Sequence, residues 1–545
     1  MDKRLGLAVV ISMGVLFLWW KLFPPAEQPA PPPQTAAAHD AAAPAPGTTA
    51  PTPPTGTPAQ PSGPRPAEQE VVLESPHARY VFSTWGAGLK QLTLKDRQFL
   101  LKKDDPQSGL NIVTSTPQFG PLRTSFAKAD FALPEDAVWS VEQKTSDAVV
   151  FRTEADGVVV TKRFALEPHR FRINLTVTVQ NKADKPQSHG LVMHVNAHQD
   201  PEKKGGGFFS YASADMAELV CYANDKARRQ TVEDAAKEHM DFVGGVRWVA
   251  AGTKFFTVAA VPAPENPPKE RRCTSRSMDA LDADVMLTFA SRTLAPGEKT
   301  EYPFQVFAGP KYTSDLEAVR VDGENPRLAD VVDVTFAVLS RPMLALLKQF
   351  HRLSGNWGVA IILLTLFVKL VTFYPTQRTL MSAKKMQRLA PKIAALRQKY
   401  GNDRQRMGVE TMNLYKAHGV SPFGGCLPSL IQMPIWIALF STLNYAVELH
   451  RAGFFWYITD LSAKDPYYIT PLLMGAVMFL QMRMSPAGTD PQQQKMMAIM
   501  MPVMFTGFSL FLPAGLSLYT LTSYLLGIVQ QLYANRLDRR AAPST

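Results

Sequence analysis

The sequence predicts a polytopic α-helical membrane protein with six transmembrane helices, the last five forming one helical core, and a large antiparallel β-sandwich outside the cytoplasm. Apolar runs recur from residue 357 onward and approach the roughly 20 residues that a helix needs to cross a hydrocarbon layer about 30 Å thick. Residues 69–330 instead contain many short runs with a period of two, such as "GVVVTKRFAL", which is typical of strands. The loop 377–420 carries ten Lys and Arg against two acidic residues, which places it in the cytoplasm.

The chain begins with a predicted transmembrane anchor, residues 1–23. Lys3 and Arg4 precede the apolar run "LGLAVVISMGVLFLWW", and basic flanks stay in the cytoplasm. A cleaved signal peptide is the alternative, but no small-residue cleavage site directly follows the run. Residues 24–68 are mostly Pro, Ala, Thr and Gly, so they predict a disordered linker.

Residues 69–330 are predicted to form the β-sandwich, with a helical interruption at 225–240. Turn-forming stretches such as "NKADKPQ" and "LAPGEK" separate the strands. His194 and His198 would share one face of a strand, where hydrogen-bonded or solvated histidines are expected rather than metal ligands.

The cysteines indicate no metal site. Cys221, Cys273 and Cys426 are the three in the chain, and none has a metal-ligand spacing. A disulfide between Cys221 and Cys273 is possible. Neither a metal nor a cofactor is therefore expected.

The region from residue 341 onward is predicted to be helical and membrane-associated. An amphipathic helix at 341–355 is too short to span a bilayer and should lie in the interface plane. The segments that follow are transmembrane helix 2 at 357–376, a cytoplasmic helical hairpin at 377–420, transmembrane helices 3 to 6 at 423–447, 468–484, 497–512 and 514–533, and a basic cytoplasmic tail at 534–545. An even number of spans leaves both termini in the cytoplasm.

The predicted hairpin combines an apolar seam with a basic exterior. Apolar residues step by three and four along it at Met386, Leu389, Ile393, Leu396 and Tyr400. Lys384, Lys385 and Arg388 would meet acidic headgroups, ribosomal RNA or a substrate on the exterior. The alternative is that the hairpin is a rigid spacer.

Lys369 is the unusual residue of the second span. A charged side chain at the centre of an inserted helix costs about 2.5–3.5 kcal/mol, so it indicates a functional site. The side chain could instead extend to the cytoplasmic interface along its own stem. Thr365 one turn away, and Tyr519, Thr520 and Ser523 in the last span, add polar groups at comparable depths. Together they predict a wet, positively charged groove.

The motif content argues against catalysis. The sequence has no HExxH, GxSxG, Walker A or GxGxxG motif, so an enzyme is not expected. The net charge of +11 concentrates beside apolar spans without a nucleic-acid motif, so DNA is not an expected partner. A secondary transporter or channel using Lys369 as a substrate or gating charge is the main alternative, although no repeats support it. A scaffold for envelope assembly would not need the polar stripes.

Several stretches resemble one known family closely. "NWGVAIILLTLFVK", "AKKMQRLAPKIAALRQKYGND", "LYKAHGVSPFGGCLPSLIQMPIWIALF" and "FLPAGLSLYTLTSYLLGIVQQ" resemble the YidC family of membrane protein insertases, in its Gram-negative form with a large periplasmic domain. The resemblance implies that the helical core is an insertase core with a hydrophilic groove open to the cytoplasm and lipid. The family's groove charge is usually arginine, whereas this sequence has Lys369, which keeps the charge but loses the planar donor fork.

The resemblance also implies partners and a location. The expected partners are nascent membrane proteins, the Sec translocon, ribosome or signal recognition particle components at the hairpin and basic tail, and anionic lipids. Met433, Trp436 and Phe508 would contact the substrate helix as it moves into lipid. The expected location is the bacterial inner membrane, with a chaperone role in folding the inserted proteins.

Overall fold

The computed structural model describes residues 67–102, 104–113, 120–201, 215–264, 270–333, 336–400, 403–419, 427–484 and 491–541. The predicted anchor and almost all of the predicted linker lie outside these residues. So do the first four residues of the predicted third span.

The described part of residues 70–310 forms three antiparallel sheets. Its strands, in chain order, are β1 (Glu70–Glu74), β2 (Ala78–Ser83), β3 (Leu89–Leu94), β4 (Arg123–Ala127), β5 (Ser140–Lys144), β6 (Ala148–Ala155), β7 (Val158–Leu166), β8 (Arg172–Asn181), β9 (Gln187–His198), β10 (Glu218–Ala223), β11 (Lys226–Thr231), β12 (Asp241–Val243), β13 (Val246–Gly252), β14 (Phe256–Pro262), β15 (Arg271–Ser277), β16 (Asp282–Phe289), β17 (Arg292–Leu294) and β18 (Lys299–Pro310). The first three make a small sheet. A nine-stranded sheet has the order β11-β10-β13-β14-β18-β8-β7-β6-β5, and a six-stranded sheet has the order β12-β15-β16-β9-β17, with β4 also pairing with β9.

The two larger sheets pack into the predicted β-sandwich, which is confirmed. Trp248 and Phe304 of the nine-stranded sheet share one buried apolar cluster with Met193 and Leu287 of the six-stranded sheet. In strands such as β8, buried and more exposed residues alternate, as period-two sequences require.

A disulfide joins the two faces of the sandwich. Cys221 on β10 bonds to Cys273 on β15, and both side chains are completely buried. The pairing left open by the sequence is therefore present in the structure. Disulfides persist in oxidising compartments, so this bond agrees with a domain outside the cytoplasm.

The prediction of a helix at 225–240 is largely wrong. Lys226–Thr231 pairs with β10 as a hairpin strand, and helix is confined to Val232–Ala235. The hairpin turn is Asn224-Asp225, and both residues have positive φ. Asn and Asp tolerate that conformation, which two-residue hairpin turns require.

The rest of the chain is helical. The helices are α1 (Val232–Ala235), α2 (Thr313–Glu317), α3 (Ala337–Ser354), α4 (Trp357–Arg388), α5 (Ala390–Tyr400), α6 (Arg404–Ala417), α7 (Leu427–Tyr445), α8 (Ile469–Met484), α9 (Pro491–Ser509) and α10 (Ala514–Ala541). Among the described helices, α4 alone is long and apolar enough to cross a membrane by length and composition, and α8 and the Ala498–Ser509 part of α9 are shorter apolar helices.

Local chemistry sets the break between α3 and α4. Gly355 adopts φ 67° and its N–H donates to the carbonyl of His351, which ends α3. The Asn356 side chain accepts hydrogen bonds from the N–H groups of Gly358 and Val359, which starts α4.

Three helices have ends that differ from the predicted segment boundaries. Helix α3 begins at residue 337 rather than 341, and α10 continues through residue 541 into the predicted tail. Helix α4 continues from 357 to 388, twelve residues beyond the predicted end of the span at 376. The break expected after the span comes instead at Leu389, because Pro391 lacks an N–H and fits only the first turn of a new helix.

The β domain contacts the helical region at the segment that follows α7. The Gln98 side-chain amide donates to the backbone oxygens of Val447, Glu448 and His450 at 3.1, 3.2 and 2.7 Å. The His450 ring also lies 4.8 Å from the Phe255 ring, centroid to centroid. One side-chain amide therefore links the β domain to three backbone carbonyls just after α7.

Two lysines strengthen this joint. The Lys254 ammonium donates to the Asn444 side-chain oxygen at 2.6 Å, and burial lowers the pKa of Lys254 to about 8. Lys348 of α3 pairs with the buried Glu448 at 2.7 Å. The end of α7 is thus held between the β domain and α3.

Candidate functional site

Lys369 lies on α4 at the edge of its packed face. Leu364, Thr365 and Val368 of the same helix are buried, whereas Leu370 is exposed. The Lys369 side chain is half-buried. Among the described residues its ammonium has no hydrogen-bond or ion-pair partner within the protein, so the charge is available to water or to a ligand.

Polar groups from two other helices lie beside the same packed face. Tyr519 of α10 belongs to one buried cluster with Leu364 and Val368 of α4. Gln432 of α7 donates its side-chain amide to the Tyr519 hydroxyl at 3.4 Å. Side chains of α4, α7 and α10 therefore pack together on the face of α4 that includes Val368, the neighbour of Lys369 in the chain.

The predicted groove hydroxyls are not all accessible. Thr365 and Tyr519 are buried, whereas Thr520 and Ser523 are half-buried. Thr365 donates to the Ile361 carbonyl at 2.7 Å, which satisfies its hydroxyl within its own helix. Direct substrate contact by Thr365 or Tyr519 is thus inconsistent with this conformation, and Lys369, Thr520 and Ser523 remain as the reachable members of the set.

The predicted contact residues for a substrate helix are partly exposed. Met433 is exposed, and Trp436 and Phe508 are half-buried and pack against the helical core. The Trp436 and Phe440 rings lie 5.5 Å apart. Side chains of this size at a helix surface suit an apolar partner.

The hairpin seam forms as predicted in its central part. Leu389, Ile393 and Tyr415 are buried together, with Met386 and Leu414 packed against them. Because α4 extends to residue 388, Met386 belongs to the end of that helix rather than to a separate hairpin helix.

One of the three basic residues predicted to recruit partners is buried. Lys385 and Arg388 are exposed, but Lys384 is only 7% exposed. Successive residues of a helix are separated by about 100°, so neighbouring lysines cannot share one face. The prediction that Lys384 lies on the basic exterior is therefore wrong.

Most of the chain matches one family of known proteins. A model of the family described as "60Kd inner membrane protein" matches residues 349–541, and a model described as "YidC periplasmic domain" matches residues 70–346. The membrane protein insertase YidC of Citrifermentans bemidjiense is 34% identical, with 98% of this chain and 99% of that protein covered. The chain belongs to the YidC family of membrane protein insertases. The insertase of Anaeromyxobacter dehalogenans is 35% identical over 100% of this chain and 98% of its own length.

A solved structure also matches. It is titled as an active YidC insertase with its first transmembrane domain resolved, and the match covers 86% of this chain and 93% of that one, with 19% identity and a TM-score of 0.36. The assignment rests on the sequence matches, and this likeness adds no separate argument. The YidC assignment makes the β-sandwich the periplasmic domain, and makes the protein an insertase rather than an enzyme.

The periplasmic domain contains a buried charged cluster. Asp284 on β16 accepts hydrogen bonds from Arg123 at 3.3 Å and from Arg276 at 2.9 Å. His194 on β9 lies 3.1 Å from the same carboxylate through Nδ1 and 2.7 Å from the Ser125 hydroxyl through Nε2. Burial would raise the pKa of Asp284, but the His194 hydrogen bond and the arginine charges lower it below its ordinary value.

Neither metal binding nor hydrolysis follows from this cluster. Glu135, His194 and Asp284 each offer one ligand atom, and these atoms lie within 4.8 Å of one another. Arg123 and Arg276 already neutralise both carboxylates, so a dication there would be repelled. The hydrogen bonds from Ser125 to His194 and from His194 to Asp284 resemble those of a serine hydrolase triad. However, an aspartate that is paired with two arginines adds little basicity to the histidine. The expected hydrogen-bonded histidine is confirmed at His194.

Sequence reasoning missed the Gln98 and Lys254 contacts with the segment after α7. Gln98 and His450 are 352 residues apart in the chain, and no local period links them. A lone glutamine in a short helical turn after β3 carries no signal that it will contact three distant carbonyls.

Proposed function

We propose that this YidC insertase moves the polar part of a nascent membrane protein through a groove beside Lys369. The observation that carries the proposal is the lysine itself, a half-buried cation on an apolar helix without a protein partner among the described residues. An unpaired charge inside the membrane costs free energy, so such a residue indicates a functional site. Acidic residues of a translocated tail are the ligands that it would attract.

The groove would lower the cost of crossing lipid. Each unsatisfied backbone polar group in hydrocarbon costs several kcal/mol. Water held near Lys369, Thr520 and Ser523 would shorten the apolar distance that the tail must cross. Gln432 and Tyr519 act behind these residues by linking α7 to α10.

The apolar side of the groove would receive the substrate's own transmembrane helix. Met433, Trp436 and Phe508 offer apolar surface next to the polar groups. A substrate helix could therefore leave for lipid while its tail crosses. The loop charges of the substrate would then fix its final orientation.

The proposed topology has six spans, with both termini in the cytoplasm and the protein in the bacterial inner membrane. Five spans come from α4, α7, α8, α9 and α10, and the anchor 1–23 supplies the sixth. The two shorter apolar helices would need a locally thinned bilayer or flanking residues. The basic loop after α4 supports a cytoplasmic hairpin.

The exposed hairpin cations are the proposed recruitment surface for nascent chains, the ribosome or signal recognition particle components, with the basic tail as a second contact. The Sec translocon is a proposed partner for part of the substrates. Arg388→Glu should reduce photo-crosslinking of a nascent chain to the hairpin about twofold to fivefold, since one near-surface charge pair contributes about 1 kcal/mol or less. Lys384→Gln is the buried comparison, and equal crosslinking by Arg388→Glu and wild type would contradict the role.

Reconstitution in liposomes tests the function and its alternative together. One preparation is divided between a protease-protection assay for an inserted substrate and a flux assay for small solutes. Insertion without flux supports the groove. Solute flux that Lys369 substitutions alter, without insertion, would favour a transporter or channel that uses Lys369 as a substrate or gating charge.

A further inference from the structure

A second basic site lies at the cytoplasmic end of α4, away from Lys369. An open cavity of about 340 Å³ is lined by Gly419, just after α6, and by several residues of α4, among them Tyr374, Gln377, Arg378, Ser382 and Lys385. Two of these residues are cations. The cavity is large enough for a phosphate group and its immediate substituents.

The cations of this cavity are free to bind an anion. The Arg378 guanidinium stacks on the Tyr374 ring, 4.4 Å from its centroid, which orients its N–H groups without occupying them. In the part of the chain that the structure describes, no carboxylate pairs with Arg378 or Lys385. The described residues therefore supply no anionic partner for these two cations.

A neutral polar group in the cavity also lacks a partner. Both the nitrogen and the oxygen of the Gln377 side chain are buried, and among the described residues neither has a hydrogen-bond partner. Buried amides normally make such bonds. A ligand with both a donor and an acceptor, such as a phosphate ester with hydroxyls, would satisfy them.

The cavity continues an exposed apolar stripe of the same helix. Phe367, Val371 and Tyr374 are exposed at steps of four and three, and Arg378 and Lys385 extend the same spacing by four and seven residues. Residues at these spacings share one helix face. One face of α4 is thus apolar along the predicted span and basic at its cytoplasmic end.

We infer that this face binds one anionic phospholipid of the cytoplasmic leaflet, with its phosphate between Arg378 and Lys385 and an acyl chain along Phe367 and Val371. Charge complementarity and the continuity of the apolar stripe with the basic cavity select this occupant. The inference rests on the proposed topology, which places this end of α4 at the cytoplasmic surface. The bound lipid would fix the depth of α4 and hence the depth of Lys369.

Native mass spectrometry of the purified full-length protein in detergent tests the site. The probes are phosphatidylglycerol and phosphatidylcholine with identical acyl chains, and soluble glycerol phosphate. Arg378→Gln combined with Lys385→Gln should weaken phosphatidylglycerol binding about tenfold or more, since each basic residue near a lipid surface contributes on the order of a fivefold effect. Phosphatidylcholine binding should change little.

The matched control removes two exposed lysines of the hairpin, Lys392→Gln with Lys399→Gln, and should leave the phosphatidylglycerol affinity within about twofold. Equal affinities of the Arg378/Lys385 variant and wild type would overturn the inference. So would glycerol phosphate binding as tightly as phosphatidylglycerol. Because no substrate is inserted in this experiment, a failure of the groove proposal would leave its result unchanged.

Discussion

Lys369→Glu should remove most insertion of a substrate whose translocated tail carries acidic residues, Lys369→Ala should remove much of it, and Lys369→Arg should retain it. The reason is the sign of the charge. A pair of unit charges 4 Å apart interacts by about 1 kcal/mol in bulk water and about 4 kcal/mol near a protein surface. Losing that attraction should lower insertion at least about fivefold. The measurement is protease protection of the tail in proteoliposomes with matched protein amounts.

The tail supplies the internal control. A substrate with its acidic residues neutralised has no such attraction to lose, so the three variants should insert it alike. Lys299→Glu, which changes an exposed lysine of the periplasmic domain, controls for net charge. If Lys369 only extends to the interface, all three variants should insert both substrates equally, and equal losses for both tails would refute the electrostatic account.

The fold was predictable where a local period determines it. Strands such as β7 and β8 alternate because one side chain in two faces the sandwich core, and Ile393 and Tyr415 meet because helical steps of three and four produce a seam. The order of the strands in the nine-stranded sheet was not predictable. It depends on pairings between strands far apart in the sequence, such as β14 with β18.

The candidate site was predictable in its chemistry rather than in its accessibility. A lysine in an apolar span is conspicuous in any sequence, so Lys369 was found. Thr365 and Tyr519 could not be recognised as buried, because burial depends on how α10 rotates against α4. Lys384 and Lys385 are equally basic in sequence, and only the path of α4 to residue 388 separates the buried lysine from the exposed one.

The periplasmic domain should depend strongly on its buried charged cluster. Asp284→Asn should lower the free energy of unfolding by about 3–5 kcal/mol, because it removes the buried carboxylate that Arg123 and Arg276 share. The buried Arg123 guanidinium would keep only the partly exposed Glu135 as an ion-pair partner. Asp241→Asn is the matched control, since Asp241 pairs with Arg272 on the exposed surface and such pairs contribute about 0–1 kcal/mol. Urea unfolding of the full-length protein in detergent, followed by the circular dichroism of the β-sheets, measures both.

The stabilisation by Asp284 should depend on pH. The pKa of Asp284 is lower in the folded protein than its ordinary value of 3.8. Its stabilisation is therefore complete above about pH 5 and declines as the pH falls through the folded pKa. The difference in the free energy of unfolding between wild type and Asp284→Asn should be full at about pH 7 and smaller at about pH 3.

Replacing both partners, Arg123→Met with Asp284→Leu, should lower the free energy of unfolding by less than the sum of the two single changes, because no unpaired charge remains. A difference that stays constant across this pH range, or strictly additive costs, would mean that the cluster stabilises the domain through packing and not through its charges.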